Sequence, residues 1–229
     1  EKRNFTRYLN DPKDPQSLIN NKVRAIFEDS QGTFWVGTAG DGLHTMDQKT
    51  GKFTRHLSDP KNSQQLSRPP VKAGFDHITF ITEDVEGQIW IGTWSNGISR
   101  YNPVTKEITY FGNNIGGLTD VTSWTAKSYN NGLMWLSTEE PRNLYQIDLF
   151  TNNIPLITVS RAFGVNGFYQ DDPNVLWISS AGGGLIRKDL LSGAVKIFKN
   201  EPANPKSLSG NDATSILKDK KGNYWIGTE

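Results

Sequence analysis

Trp35-Val36-Gly37-Thr38 is the first of five copies of one phrase; Trp90-Ile91-Gly92-Thr93, Trp135-Leu136-Ser137-Thr138, Trp177-Ile178-Ser179-Ser180 and Trp225-Ile226-Gly227-Thr228 repeat it. Successive tryptophans lie 55, 45, 42 and 48 residues apart, close to the period of about 40 to 50 residues that marks propeller blades. A repeat of that length predicts an all-β chain built from small sheets.

The flanking words repeat too. Alternating apolar runs that end in acids and a glycine precede the tryptophan: Val23 to Gly32, Ile78 to Gly87 and Ala213 to Gly222. Asp followed three residues later by Gly suits a type I turn between antiparallel strands, because the carboxylate accepts from backbone N–H groups and glycine tolerates positive φ. A third strand follows, as in Gly42–Asp47, Gly97–Asn102, Asn143–Asp148 and Gly184–Asp189. Its closing turn pairs Asp47 with Thr50, Asn102 with Thr105, Asp148 with Thr151 and Asp189 with Ser192. A fourth strand, such as Lys52–Leu57 or Ala194–Phe198, completes a four-stranded blade.

Four full blades are expected over residues 23–57, 78–111, 121–158 and 163–198, with the first two strands of another at 213–228. Asn4–Leu9 reads like Lys52–Leu57 and is expected to be the outermost strand of a further blade. The whole of 1–229 is read as one segment of a propeller and as an excerpt of a longer protein. A proline-bearing phrase links the blades at Asn10–Leu18, Ser58–Leu66 and Asn200–Leu208. Proline cannot donate to a ladder, so these stretches leave the outer strand, and the leucine is expected to plug the gap between blades.

Composition bounds the function. A net charge of +1 gives no basic stripe for nucleic acid. Lys218-Asp219-Lys220-Lys221 reads as a solvated turn. No apolar run approaches the eighteen or so residues of a membrane span, so membrane contact is expected only through segments outside this one. Zero cysteines exclude disulfides, thiolate zinc sites and a cysteine nucleophile.

Together these phrases resemble the two-component regulator propeller repeat. The resemblance is nearly complete over residues 23–57, good over 78–111 and present as far as 213–228 runs; it weakens at Gly132-Leu133-Met134-Trp135 and Asp171-Asp172-Pro173-Asn174. It implies the extracytoplasmic, periplasmic sensor region of a bacterial hybrid two-component or sensor histidine kinase, or of a diguanylate cyclase. An oligosaccharide-derived ligand and a homodimer formed through the full-length protein are implied with it.

Recurring residues read as scaffold. The tryptophans are expected to pack against the adjacent blade, and Gly37, Gly92 and Gly227 to admit its close approach. Ligand chemistry is sought where the repeat is broken. Trp94 stands where other blades hold Ala39, Glu139 and Ala181, so its ring is read either as a sugar platform or as a cover over its own blade. Glu139-Glu140-Pro141-Arg142 reads as a contact for a hydroxyl-rich or acidic ligand, or as a surface ion-pair cluster. Phe75 and His77 close the longest insertion, Arg68–His77, and are added to the candidate ligand-binding set. Trp124, in a first strand, is expected to face the central channel or a blade interface, with the core favoured.

Catalysis is not expected in this segment. His44, His56 and His77 have no metal-ligand spacing, and neither a metal nor a cofactor is expected. Glu28-Asp29 and Glu83-Asp84 look like turn chemistry and not a glycosidase pair. The Gly-x-Ser-x-Gly elbow is missing. Two other readings stay open: a polysaccharide lyase or hydrolase propeller, and a protein-binding scaffold.

Overall fold

The computed structural model describes residues 5–40, 42–57, 77–94, 97–111, 123–129, 132–139, 143–151, 153, 156–157 and 164–229. Among them every regular element is a strand. The first blade comprises β1 (Val23–Glu28), β2 (Phe34–Thr38), β3 (Leu43–Asp47) and β4 (Lys52–His56), hydrogen-bonded in chain order. The second comprises β5 (Ile78–Glu83), β6 (Ile89–Thr93), β7 (Ile98–Tyr101) and β8 (Ile108–Phe111). The third runs β9 (Ser123–Ser128), β10 (Leu133–Thr138), β11 (Leu144–Asp148) and β12 (Leu156–Ile157). The fourth runs β13 (Gly164–Asp172), β14 (Val175–Ala181), β15 (Gly184–Asp189) and β16 (Val195–Phe198). A two-stranded sheet of β17 (Ala213–Lys218) and β18 (Tyr224–Thr228) follows. This is part of a β-propeller, four antiparallel blades and half of another.

The chain forms two compact units, 1–112 and 113–229. Within the first, β5 of the second blade packs on β1 and β2 of the first. Within the second, β13 packs on β9 and β10, and β17 packs on β13 and β14. Trp35 and Trp135 sit in these seams. Trp35 shares a core with Ile78, Ile81, Ile89 and Ile91 of the next blade, and Trp135 shares one with Phe168, Leu176 and Ile178. Trp225, on the last sheet, is 63% exposed, whereas Trp135 is fully buried. Trp35 and Trp135 are thus buried against the blade that follows each of them.

The acidic turns do more than turn. Asp29 Oδ1 accepts from the N–H groups of Gln31 and Thr33, while its Oδ2 accepts from the Trp35 indole at 2.8 Å. Asp84 repeats this with Glu86, Gln88 and the Trp90 indole at 2.7 Å, and Asp219 with Lys221, Asn223 and Trp225 at 3.0 Å. The Trp225 bond, first among several, holds the Asp219 carboxyl down to about 2. In the third blade Tyr129 occupies the Asp position, and the Trp135 indole donates instead to Gln170 of the fourth blade at 3.1 Å.

The other repeated words fold alike each time. Asp47, Asn102, Asp148 and Asp189 each accept two backbone N–H groups across the turn between third and fourth strands. In the linkers, Asn10 and Asn200 donate to the carbonyls of Leu18 and Leu208, and the Ser17 and Ser207 hydroxyls accept from the N–H groups of Asp11 and Glu201. Leu18 is buried with Val36 and Phe53 of the first blade.

Three details differ from the sequence reading. Phe5–Leu9 carries no strand; Asn10 makes an isolated parallel bridge to Leu18, and Tyr8 sits edge-on to Phe53 at 5.7 Å. A strand needs a ladder partner, and the segment is held by ring contact instead. Gly37 does admit the next blade, since a Cβ there would strike Ile78. At Gly92 and Gly227, however, the crowding atoms belong to Phe80 and Ser215 of the same blade.

His44 is buried in the first blade. Its Nε2 accepts from the Ile19 N–H at 3.1 Å and its Nδ1 lies 3.3 Å from the Val36 carbonyl, to which it donates as the neutral tautomer. Burial pushes this imidazole down to about 4.

Candidate functional site at the inner-strand ends

Each blade ends its second strand beside the start of its first. Thr38, Thr93 and Ser180 hydroxyls donate to the carbonyls of Gly42, Gly97 and Gly184, closing the turn to the third strand. The next residue then donates its N–H to the residue preceding the first strand: Ala39 to Lys22 at 2.8 Å, Trp94 to His77 at 2.9 Å and Glu229 to Asp212 at 3.0 Å. This clasp is backbone-only, so the side chains it juxtaposes are unconstrained by the fold.

A second unconstrained position lies one residue inside the first strand. The pairing of first and second strands slips between Val23 and Ala25, Ile78 and Phe80, Ser123 and Thr125, Val165 and Gly167, and Ala213 and Ser215. Each slip is a β-bulge, which leaves one residue out of the ladder and re-aims it. The bulged residues are Arg24, Thr79, Trp124, Asn166 and Thr214, five positions with four side-chain types.

In unit 1–112 the clasp brings two of the candidate residues together. Trp94 and His77 have ring centroids 6.1 Å apart and planes tilted by 57°, and both are partly exposed. Elsewhere the same clasp holds Ala39 against Lys22. Phe75 lies outside the described residues.

In unit 113–229 the same two positions from adjacent blades enclose a cavity of about 170 Å³. Its walls are Trp124 on β9, Thr138 and Glu139 at the end of β10, Val165 and Asn166 on β13, and Ala181 on β14. Asn166 is anchored by donating its side-chain N–H to the Ala213 carbonyl at 2.9 Å. Glu139 Oε2 is buried without a hydrogen-bond partner among the described residues. An unpaired acceptor costs about 1 to 3 kcal/mol, and more when charged. Small side chains at Gly164 and Ala181 leave the space open. Glu140 and Arg142 lie outside the described residues. Trp124, for which the core was favoured over a channel-facing or interface position, is a wall of this cavity and only partly buried.

The sequence carried no signal for the bulge. The residues of the cavity lie on four strands of two blades, and only their registers bring Trp124 and Asn166 to it. Among the described residues no three His, Asp or Glu side chains cluster as metal ligands.

Residues 17–40 and 207–229 match the family model described as two component regulator propeller. Among solved structures, the chain is similar to the extracellular domain of a hybrid two component system from B. thetaiotaomicron, at 19% identity and a TM-score of 0.68 over 96% of this chain and 34% of that one. It is similar also to the extracellular domain of a one component system from the same organism, at 19% identity and a TM-score of 0.73 over 94% of this chain and 27% of that one. A catalytically inactive variant of virginiamycin B lyase from Staphylococcus aureus with quinupristin gives 15% identity and a TM-score of 0.63, over 96% of this chain and 66% of that one. The chain thus spans about a third or less of the length of the first two. At these identities the likeness shows the fold. No curated protein sequence matches the chain.

Proposed function

We propose that this two-component regulator propeller segment is the extracytoplasmic ligand-sensing part of a bacterial signalling protein, receiving a carbohydrate-derived ligand and passing the signal to a kinase or cyclase output domain. The observation that carries the reading is the match of two repeats, 17–40 and 207–229, to that family model. The extracellular placement of the two B. thetaiotaomicron structures supports the compartment. No helix among the described residues is long and apolar enough to cross a membrane, so the bilayer would be reached through other parts of the protein.

The carbohydrate assignment is supported by the variable positions. An indole beside an imidazole at Trp94 and His77 offers a flat apolar face with a polar edge, and the Trp124 cavity adds an indole beside a carboxylate acceptor. A sugar ring has a matching apolar face and a rim of hydroxyl donors. Glycoside cleavage needs two carboxyl groups flanking the bond, and Glu139 is the one carboxylate among the described residues lining the cavity.

The test is output from the full-length protein in membranes, measured against oligosaccharides released from a panel of polysaccharides. One glycan class should raise phosphoryl transfer or cyclase activity, with the glycan recovered intact. Release of shortened products, or no response to any glycan, would contradict the reading.

A further inference from the structure

We infer that the cavity of unit 113–229 is a subsite for a single non-acidic sugar ring, neutral or amino-substituted, which lies on Trp124 and donates hydrogen bonds to Glu139. The inference deepens the carbohydrate reading and rests on it.

Size sets the first limit. A cavity of about 150 Å³ is enough to hold a benzene ring. The 170 Å³ here therefore takes one six-membered ring and not a chain of them. The rest of any oligosaccharide would extend outside.

Polarity sets the second. Glu139 is the one ionisable residue among the described walls, and its buried Oε2 lacks a donor. An ionised carboxylate only accepts hydrogen bonds. Its partner must therefore bring O–H or N–H groups, as hydroxyls and ammonium groups do. A uronate or sulfated sugar would instead place a second anion beside Glu139, and two anions sharing a low-dielectric site oppose each other's ionisation. Trp124 supplies the apolar counterpart for the C–H face of the ring, and Asn166 is held at the opposite bulge by its bond to Ala213.

The arrangement is local to this pair of blades. In the fourth blade, Ala181 stands at the position of Glu139 and Asn166 at that of Trp124. The bulge recurs in every blade and the clasp in the first, the second and the last, while the side chains they present differ between this pair of blades and the others. The fold is thus a frame on which this pair of blades has placed an aromatic and an acceptor.

The experiment is calorimetric titration of the full-length protein with methyl glycosides of gluco and galacto configuration, each as the neutral sugar, the 2-amino sugar and the uronate. Neutral or amino probes should bind at least tenfold more tightly than the matching uronate. Glu139→Gln should remove that gap, and Trp124→Ala should abolish binding; Trp124→Phe, which keeps an aromatic wall, should retain most of it. Uronates bound as tightly as neutral sugars, unchanged selectivity in Glu139→Gln, or no binding by any probe would each overturn the subsite. If Trp124→Ala still responds to oligosaccharides in the output assay as the wild type does, the subsite is wrong and the sensor reading stands. If the wild type itself responds to none, the sensor reading has failed.

Discussion

Asp84 holds three donors at once: two backbone N–H groups of its own turn and the indole of Trp90, six residues on. Replacing it with alanine leaves that buried indole N–H without an acceptor, and a buried donor so stranded costs about 1 to 3 kcal/mol. Urea unfolding of Asp84→Ala should show a loss of that size, with a smaller one for Asp219→Ala, whose partner Trp225 is 63% exposed. The six-residue interval was present in the sequence as Asp29 to Trp35, Asp84 to Trp90 and Asp219 to Trp225. It passed as turn chemistry because nothing in a linear pattern says that a side chain reaches across its own hairpin. His44 gives a pH dependence. Its folded pKa of about 4 lies below the ordinary 6.5, so the folded state binds fewer protons in between. Stability should be full above about pH 6.5 and fall as the pH drops toward 4, by up to about 3 kcal/mol. Burial also lowers His56, which adds to the loss in the same direction. Denaturant midpoints measured from pH 7 to 4.5 should fall, with a flatter profile in His44→Gln.

At the scale of strands and blades, close approach is set by glycine at one seam. A Cβ on Gly37 would strike the side chain of Ile78 on the next blade's first strand. Gly37→Ala should therefore destabilise by about 1 to 3 kcal/mol through overpacking. Combined with Ile78→Ala the effects should be clearly non-additive, as expected for residues in contact. Strand positions were legible because each blade repeats its turn words at fixed offsets from a tryptophan. Phe5–Leu9 carries no strand: likeness to Lys52–Leu57 records a strand's side chains, and no ladder partner for it stands among the described residues. The bulges were illegible, since one extra residue in a six-residue strand disturbs an alternation too short to show it. The core was favoured for Trp124, over a channel-facing or interface position, for the same reason. Without the slip in register between Ser123 and Thr125 its ring would be expected in the ladder's ordinary alternation.

At the scale of the whole molecule, repetition separates frame from function. Residues that recur seal blades, satisfy turns and fasten linkers, whereas the side chains at the clasp and bulge positions vary from blade to blade. Trp90 and Trp94 lie four residues apart on opposite sides of that division: the first is fully buried, and the second is partly exposed beside His77. The direct test is a paired measurement of unfolding free energy and oligosaccharide affinity for Trp90→Ala and Trp94→Ala, using a glycan that drives output in the wild type. Trp90→Ala should lose about 3 to 5 kcal/mol of stability, while Trp94→Ala should stay within about 1 kcal/mol of the wild type yet bind the glycan at least tenfold more weakly. Equal destabilisation by the two substitutions, or unchanged affinity in a stable Trp94→Ala, would contradict the division on which the account rests.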